Sequence, residues 1–504
     1  MTGAAPFGSD DVVRYAFRQG PGRGFVAPLE AGERPLTTSF GSLPETVATD
    51  RLAALVWGTV DLLEETPYPA LCTPQSGPVA DRIQHALVMA FGLQRREPSN
   101  LFNDHRACAS VRSRFPVHAF VHTADQAWWL DVYRHGLLPI GDAIAAWPAD
   151  QPLIVALAGR YTHLPSLYGR LRGPLVELEV GIGLRSLWVA LELLGLAAEL
   201  RLPGSEAGRL MRHLALEPHG EWSAPLAVAI EPAAASGASP SGFDVVATGR
   251  RGQGDDPSLD EVVAVNRTAL DVVAVRPPQS SRGEGRAIPG GLTPSPTSWA
   301  EVLWARTAGR MPRRMAGVAG GRRRVSATAV TDALAWLGQP PPTPILQEVA
   351  RQITASVAIS DAAGFTTGLY RVARKENERA ELELVHADPA LPGRLEACYG
   401  HGLTSDVGCA VRHANLVWLL SIDVPALVAT IGPGGWTLAQ YACGWMAHGL
   451  CLAAAAHGLY ARPNRAFDDI ALQPVVGMRP GEMVLLSVVS GSSRFREPML
   501  DLRT

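Results

Sequence analysis

The sequence has very little lysine and no excess of charge of either sign. Lys375 is the single lysine, so 44 of the 45 basic residues are arginine, and with 48 acidic residues the formal net charge is −3. A strongly basic balance would indicate nucleic acid or an anionic membrane surface as the partner. The observed balance predicts neither.

Patterns typical of metal and nucleotide chemistry are also missing. The six cysteines make no C-x-x-C pair and no Cys/His cluster with zinc spacing, so we predict neither a disulfide framework nor a metal site. There is no H-E-x-x-H, no P-loop, and no G-x-G-x-x-G between a strand and a helix. The N-terminal residues show no basic region followed by an apolar run, which predicts a cytoplasmic protein without a signal peptide.

Two long apolar stretches, 175–200 and 438–460, are the strongest secondary-structure signals. They contain polar or charged residues, among them Glu177, Arg185 and His448. A membrane span of about 20 residues should have few or none of these. We therefore predict two long core helices and no membrane partner.

The chain is long enough for more than one core, because single cores stop growing near roughly 250–300 residues. The stretch 232–299 is rich in Pro, Gly, Ser and charge, which predicts a linker. One apolar-periodic segment within it, LDEVVAVNRTALDVVAV, predicts a short helix. The predicted organisation is an N-terminal extension at 1–39, a first half at 40–231, the linker at 232–299 and a second half at 300–504.

The two halves share a pattern that predicts an internal duplication. Gly181 and Gly444 each open an apolar helix, 263 residues apart (444 − 181), and Gly195 and Gly458 close the two helices at the same offset. Strand-like runs lie before and after the helices, at 116–124, 224–231, 416–424 and 483–491. The alternative is chance, because buried helices that end in glycine are common. The shared order of elements favours duplication.

Two arginines in the segment LWARTAGRMP (303–312) are the first candidates for a binding site. Arg306 and Arg310 are four residues apart, so a helix here would place both on one face. Two guanidinium groups on one face can clamp a phosphate, because each offers a fork of donors. The alternative is a solvent-exposed helix face.

Four segments together resemble a known family. They are R-T-A-G-R at 306–310, R-A-C-A-S-V-R-S-R-F-P-V at 106–117, L-Y-G…E-V-G-I at 167–182 and R-E-P-M at 496–499. With the helix ends A-L-E-L-L-G-L and A-A-A-A-H-G-L, the set resembles the azoline dehydrogenases. These are a branch of the FMN-dependent nitroreductase superfamily that makes thiazoles and oxazoles in ribosomal peptide biosynthesis.

The resemblance implies an α+β, nitroreductase-like fold that is internally duplicated, with a mostly antiparallel sheet flanked by helices in each half. It implies FMN at the interface between the halves, an azoline-bearing precursor peptide as substrate, and cyclodehydratase-type partner proteins. The cofactor-binding residues that it implies are Arg106, Ala109, Ser110, Arg306, Thr307, Arg310, Gly458, Arg462 and Arg496. The good motif matches are divided between the halves, so we expect one complete flavin site and one degenerate site.

The sequence departs from the family at the catalytic pair. The family has Lys-Tyr where this chain has Leu167 and Tyr168, and leucine cannot accept a proton. Tyr168 is therefore the catalytic candidate, acting with another group such as His163, or else a tyrosine that only packs. Two further functions stay open: a flavin-free scaffold of a cyclodehydratase complex, and an NAD(P)H-dependent reductase of nitro compounds or quinones.

Overall fold

The computed structural model describes residues 7–18, 52–72, 78–98, 103–141, 143, 147, 153–204, 206–216, 221–231, 257–275, 286–309, 318, 320–321, 323–374, 380–399, 410–495 and 498–504. Its β-strands are β1 (Ala53–Ala54), β2 (Leu93–Arg96), β3 (Asp104–Arg106), β4 (Val117–His122), β5 (Ala127–Asp131), β6 (Gly136–Ile140), β7 (Leu153–Gly159), β8 (Ala198–Arg201), β9 (Leu226–Ile230), β10 (Thr354–Ile359), β11 (Gly368–Arg374), β12 (Ala380–Ala387), β13 (Leu416–Asp423), β14 (Leu459–Asn464), β15 (Glu482–Ser492) and β16 (Leu500–Asp501).

The α-helices are α1 (Ser9–Phe17), α2 (Thr59–Glu64), α3 (Val79–Phe91), α4 (Arg172–Leu193), α5 (Ala207–His213), α6 (Pro257–Val275), α7 (Trp299–Ala305), α8 (Ala327–Gly338), α9 (Pro344–Gln352), α10 (Leu391–Cys398), α11 (Val424–Ile431), α12 (Gly435–Ala456) and α13 (Asp469–Val475). Among the described residues, no helix combines the length and the apolar character that a membrane crossing needs.

Two antiparallel sheets with matching strand order contain most of the strands. The first has the order β1-β6-β5-β4-β7-β9-β8, and the second has the order β12-β11-β10-β13-β15-β14. In chain order β4 to β9 correspond to β10 to β15, and the first sheet has β1 in addition at its edge. The run at 416–424 is β13 and corresponds to β7, which begins 263 residues earlier (416 − 153), while the run at 116–124 is β4 and corresponds to β10.

The two longest helices form the centre of the molecule. Helices α4 and α12 are both 22 residues long, and their ends are separated by the same 263 residues (435 − 172 and 456 − 193). Nearly every residue of both helices is buried, which agrees with their apolar character on all sides. Each helix is followed by a glycine in the left-handed region, Gly195 with φ of 65° and Gly458 with φ of 67°.

These helices cross at two glycines in a reciprocal contact. A Cβ added to Gly181 would lie 2.1 Å from the carbonyl oxygen of Tyr441, and a Cβ added to Gly444 would lie 2.0 Å from that of Leu178. Leu178 and Tyr441 are themselves 263 residues apart (441 − 178). The two contacts therefore exchange under the repeat, as they would about a two-fold axis, and they need glycine because the backbones touch.

Helix α6 forms within the stretch predicted as a linker and packs against both central helices. The side chain of Asn266 accepts a hydrogen bond from the amide of Ala224 at 2.9 Å and donates to Glu177 at 3.1 Å and to the hydroxyl of Tyr441 at 3.3 Å. This buried residue joins a loop of the first half, α4 and α12. The bounds of the four predicted segments stay a prediction.

Candidate cofactor site between the halves

The segment that contains Arg306 leaves the helix earlier than its spacing predicts. Helix α7 begins with a capping box, in which Ser298 accepts from the amide of Glu301 at 3.2 Å and Glu301 accepts from the amide of Ser298 at 3.1 Å. The helix ends at Ala305, and Arg306 has an extended ψ of 113°. The prediction of one helix face for Arg306 and Arg310 is therefore wrong, and Arg310 lies outside the described residues.

Contacts with β14 explain the early end of the helix. The amide of Ala461 donates to the carbonyl of Thr307 at 2.9 Å, and Nε of Arg462 donates to the carbonyl of Ala308 at 2.8 Å. Gly309 has a φ of 57° and lies against a tyrosine, because an added Cβ would be 2.3 Å from Cγ of Tyr460. Arg462 thus binds the backbone of this segment, while Gly458 ends α12 immediately before the strand.

Arg306 connects the second half to the first. Its side chain is only 4% exposed, and its Nε donates to the carbonyl of Arg106 at 3.2 Å. In turn Arg95 on β2 donates to the carbonyls of Trp304 at 2.5 Å and Arg306 at 3.1 Å. Burial, and secondarily the charge of Arg306, lower the pKa of Arg95 to about 10. We call Arg95, Arg106 and Arg306 the arginine cluster.

Arg106, at the end of β3, adds a second poorly compensated cation. Its guanidinium lies 4.2 Å from the ring centre of Phe115, and its enclosed Nε has no hydrogen-bond partner among the described residues. Within those residues neither Arg106 nor Arg306 makes an ion pair, and Asp104 is bound by Arg96 at 2.6 Å. Burial lowers the pKa of both arginines, as expected of cations removed from water without a bound anion.

The loop after β3 runs from the arginine cluster along α4. Ala109 is buried, and Oγ of Ser110 accepts from the amide of Phe115 at 2.8 Å. The amide of Val111 donates to Glu179 of α4 at 2.7 Å. Burial raises the pKa of Glu179 to about 8, against the opposing effect of the hydrogen bonds from Val111 and Ser110. These bonds fix the start of the loop on α4.

Tyr168 lies at the far end of this loop. It belongs to a 3₁₀ helix, Ser166–Leu171, that leads into α4, and its side chain is 9% exposed. The guanidinium of Arg112, on the loop, lies 5.4 Å from the centre of its ring. The described interactions include no contact between Tyr168 and the arginine cluster, so the loop is what relates them.

His163 bonds to another histidine, and the described bonds do not join it to Tyr168. Its Nδ1 is 3.3 Å from Nε2 of His118, whose Nδ1 accepts from Nε1 of Trp129 at 3.0 Å. The indole donor fixes the proton of a neutral His118 on Nε2, so Nε2 donates to His163. Burial, and secondarily the charge of Arg160, lower the pKa of His163 to about 4.

Three buried residues beside the arginine cluster escaped the sequence patterns. Cys108, Cys451 and His448 are all near Arg306, and Nδ1 of His448 has no hydrogen-bond partner among the described residues. Burial, and secondarily the charges of Arg185 and Arg306, lower the pKa of His448 to about 3. These three residues look like core positions in the sequence, because they fall in apolar runs without a motif.

The C-terminal segment returns to the same place. Arg496 lies outside the described residues, but β16 pairs with β2, with Leu500 opposite Arg96 and Asp501 opposite Arg95. Arg503 then lies 4.7 Å from the ring centre of Trp304. The site is therefore built from β2 and β3 of the first half and from α7, β14 and the C-terminal segment of the second.

No protein-family model and no curated protein sequence matches the chain. Among solved structures, a protein assigned as a nitroreductase from Anabaena variabilis matches with a TM-score of 0.58 and 14% identity, over 83% of this chain and 90% of that chain. The chain has a nitroreductase-like fold. This finding, with the two antiparallel sheets flanked by helices, confirms the predicted fold class.

Two shorter matches to this nitroreductase-like chain overlap with only part of it. One is the microcin synthetase complex of E. coli with truncated pro-MccB17 bound, at a TM-score of 0.30 and 14% identity, over 37% of this chain and 71% of that chain. The other is assigned as a nitroreductase from Ralstonia eutropha, at a TM-score of 0.29 and 18% identity, over 39% and 83%. At these scores neither adds to the fold assignment.

The arginine cluster of this nitroreductase-like fold has the chemistry that an FMN phosphate requires. A phosphate carries close to two negative charges and binds guanidinium groups through paired hydrogen bonds. The enclosed, unpartnered Nε of Arg106 and the buried Arg306 without an ion pair supply donors and positive charge between the halves. The residues present therefore fit the group.

The equivalent position on the other side of the repeat is filled. Arg185, which corresponds to His448 (448 − 263), is fully buried between the rings of Trp336 and Trp445, 5.0 Å from each centre. It donates to the carbonyls of Trp445 at 2.9 Å, Trp336 at 2.9 Å and Ala287 at 3.2 Å. We call Arg185, Trp336 and Trp445 the tryptophan cluster.

Proposed function

We propose that the chain is an FMN-dependent oxidoreductase with one flavin site, at the arginine cluster. One observation carries the proposal: two arginines from different halves meet away from bulk water, without an acidic partner among the described residues. A buried cation without an anion is costly, and a bound phosphate removes that cost. The filled tryptophan cluster supports a single site.

In this proposal Arg106 and Arg306 bind the phosphate, and Ala109 and Ser110 lie beside the ring system. Arg310 and Arg496 belong to the phosphate site by the family resemblance. Thr307, Gly458 and Arg462 act on the backbone, since they set the path of the segment that carries Arg306. The loop is held by Glu179, so its position does not depend on the cofactor.

The finer proposal is that the enzyme oxidises azolines of a precursor peptide to azoles, with cyclodehydratase-type proteins as partners. The reaction removes one proton and one hydride from the ring, and bound FMN would supply the hydride acceptor. Tyr168 is the group of this chain that we assign to the proton, either orienting the ring or passing the proton on. Its connection to the arginine cluster through the loop supports the assignment.

A second candidate is a flavin-free scaffold of a cyclodehydratase complex. Leu167 precedes Tyr168 where the family has lysine, and the low pKa of His163 makes that histidine a weak base. The absence of a strong base next to Tyr168 favours a protein that binds the peptide without oxidising it.

The absorption spectrum of the purified protein tests the proposal first. We expect the spectrum of bound flavin, with one FMN per chain after saturation. A synthetic peptide with one thiazoline should then lose the mass of two hydrogens. A protein that stays colourless with added FMN would favour the scaffold, and rapid bleaching by NADPH without peptide would favour a reductase of nitro compounds or quinones.

A further inference from the structure

Backbone strain is concentrated in one loop of the molecule. Among the described residues, seven that are not glycine have a positive φ. Three of the seven are Arg112, Ser113 and Phe115, with φ of 51°, 50° and 48°, and they lie between the arginine cluster and Tyr168. Side chains with a Cβ are disfavoured in this region, so the surrounding structure must hold the loop in place.

The loop is held on both sides of Arg112. On one side the amide of Val111 donates to Glu179, and on the other the amide of Phe115 donates to Ser110. The left-handed conformation of Arg112 itself carries its guanidinium to the ring of Tyr168, 5.4 Å from the ring centre. A cation at this distance is attracted to the ring, and strained residues of this kind cluster at functional sites.

We infer that Arg112 is a positioning residue that holds Tyr168 in its working orientation. The strained backbone serves this contact, since any other conformation of Arg112 would direct the guanidinium elsewhere. The inference rests on the proposed function, because it requires Tyr168 to act on the substrate.

Substitution of Arg112 by glycine separates this role from a structural one. Arg112→Gly keeps the left-handed backbone without strain and removes the guanidinium. The two effects on stability oppose each other, so we expect Tm to stay within about 2 °C of the wild type. Flavin content and KM should be unchanged, while kcat on a synthetic thiazoline peptide should fall about 10- to 100-fold, because a misplaced group costs that much.

Three further variants complete the test. Arg112→Asn also tolerates the left-handed region and should behave like the glycine variant, which keeps the test valid if one of them does not fold. Arg112→Lys retains a cation and should recover part of kcat. Ala215→Gly is the matched control, because Ala215 has a φ of 54° after α5 and its replacement should leave kcat unchanged.

The outcomes separate the inference from the proposed function. If the wild type oxidises the peptide and Arg112→Gly keeps its kcat, the inference is overturned alone. If Tm and kcat fall together in the glycine and asparagine variants, Arg112 supports the fold and the inference is overturned as well. If the wild type binds FMN but oxidises no thiazoline peptide, the proposed function fails, and the inference fails with it.

Discussion

The two positions related by the repeat contain buried arginines in opposite situations. At the tryptophan cluster Arg185 gives three hydrogen bonds to carbonyls and lies between two indole rings. At the arginine cluster Arg306 gives one hydrogen bond to a carbonyl, and Arg106 has an enclosed nitrogen without a partner among the described residues. The same topology thus contains one satisfied cation and one pair with donors to spare.

The segments beside these positions differ in the same sense. After α7 the chain reads R-T-A-G-R, whereas after α2 it reads E-T-P-Y-P-A, so glutamate stands where the other half has Arg306. Tyr68 of the second segment accepts from Nε1 of Trp336 at 2.9 Å, which ties this segment to the tryptophan cluster. One position was built to be closed, and the other retains the charge to bind an anion.

The largest effect is expected at the closed position. Arg185→Ala should lower the free energy of unfolding by about 3–5 kcal/mol, because it leaves carbonyls unpaired and a cavity between two indoles. Denaturant unfolding measures the loss. The folded fraction should bind FMN as the wild type does. A loss below about 1 kcal/mol, or a folded variant without flavin, would contradict the contrast between the two positions.

Tyr168 has no counterpart in the second half, where the repeat places Ile431 (431 − 263). Tyr168→Phe should leave the flavin spectrum intact and slow azole formation by about 10²–10⁴-fold, the usual contribution of a group that handles a proton. Mass spectrometry of a thiazoline peptide follows the reaction. Oxidation at the wild-type rate would remove Tyr168 from the mechanism.

Arg306 should decide whether the open position binds its anion. Hydrogen bonds to a charged group contribute about 1.5–3 kcal/mol each, so Arg306→Ala should weaken FMN binding about 10- to 100-fold. Fluorescence titration of the apoprotein measures this affinity. Arg324→Ala removes an exposed arginine of the same half and should have no effect. Equal FMN affinity in the two variants would refute the phosphate site at Arg306.

The smallest effect is expected where the repeat pairs Glu177 with Gln440 (440 − 177 = 263). Burial raises the pKa of Glu177 from 4.5 to about 7, against hydrogen bonds from Asn266, Tyr161 and Thr437. The folded state therefore holds this proton more tightly than the unfolded chain, and stability falls as the pH rises from 4.5 towards 7.

Glu177→Gln copies the residue of the second half and should remove about 1 kcal/mol per pH unit from that slope. Urea unfolding at several pH values within the window checks the result. Glu179 contributes in the same direction with its pKa of about 8, so Glu179→Gln serves as the comparison. A slope unchanged by either substitution would show that neither carboxyl binds its proton in the folded state as described.

The sequence predicted the features that depend on local signals. The apolar runs and the closing glycines Gly195 and Gly458 indicated α4 and α12 to within a few residues at most ends, and their spacing indicated the duplication. It could not predict the end of α7 at Ala305, because that depends on Tyr460 and Arg462, more than 150 residues away.

The difference between the two positions was equally hidden. Arg185 and His448 both appear as polar residues within an apolar helix. What separates them is the set of partners: Arg185 finds carbonyls on Trp336 and Ala287, which are distant in sequence, whereas His448 has an unpartnered nitrogen among the described residues. Only the three-dimensional structure brings these groups together.

The crossing of α4 and α12 at Gly181 and Gly444 gives the chain a freedom that two separate copies lack. In a homodimer a single codon specifies both sides of the two-fold axis, so a bulky side chain that blocks one pocket blocks its twin. Here the crossing lies within one polypeptide, and each pocket is encoded separately. A mutation can therefore convert one pocket into solid core, and gain stability from it, while the other continues to evolve as a binding site.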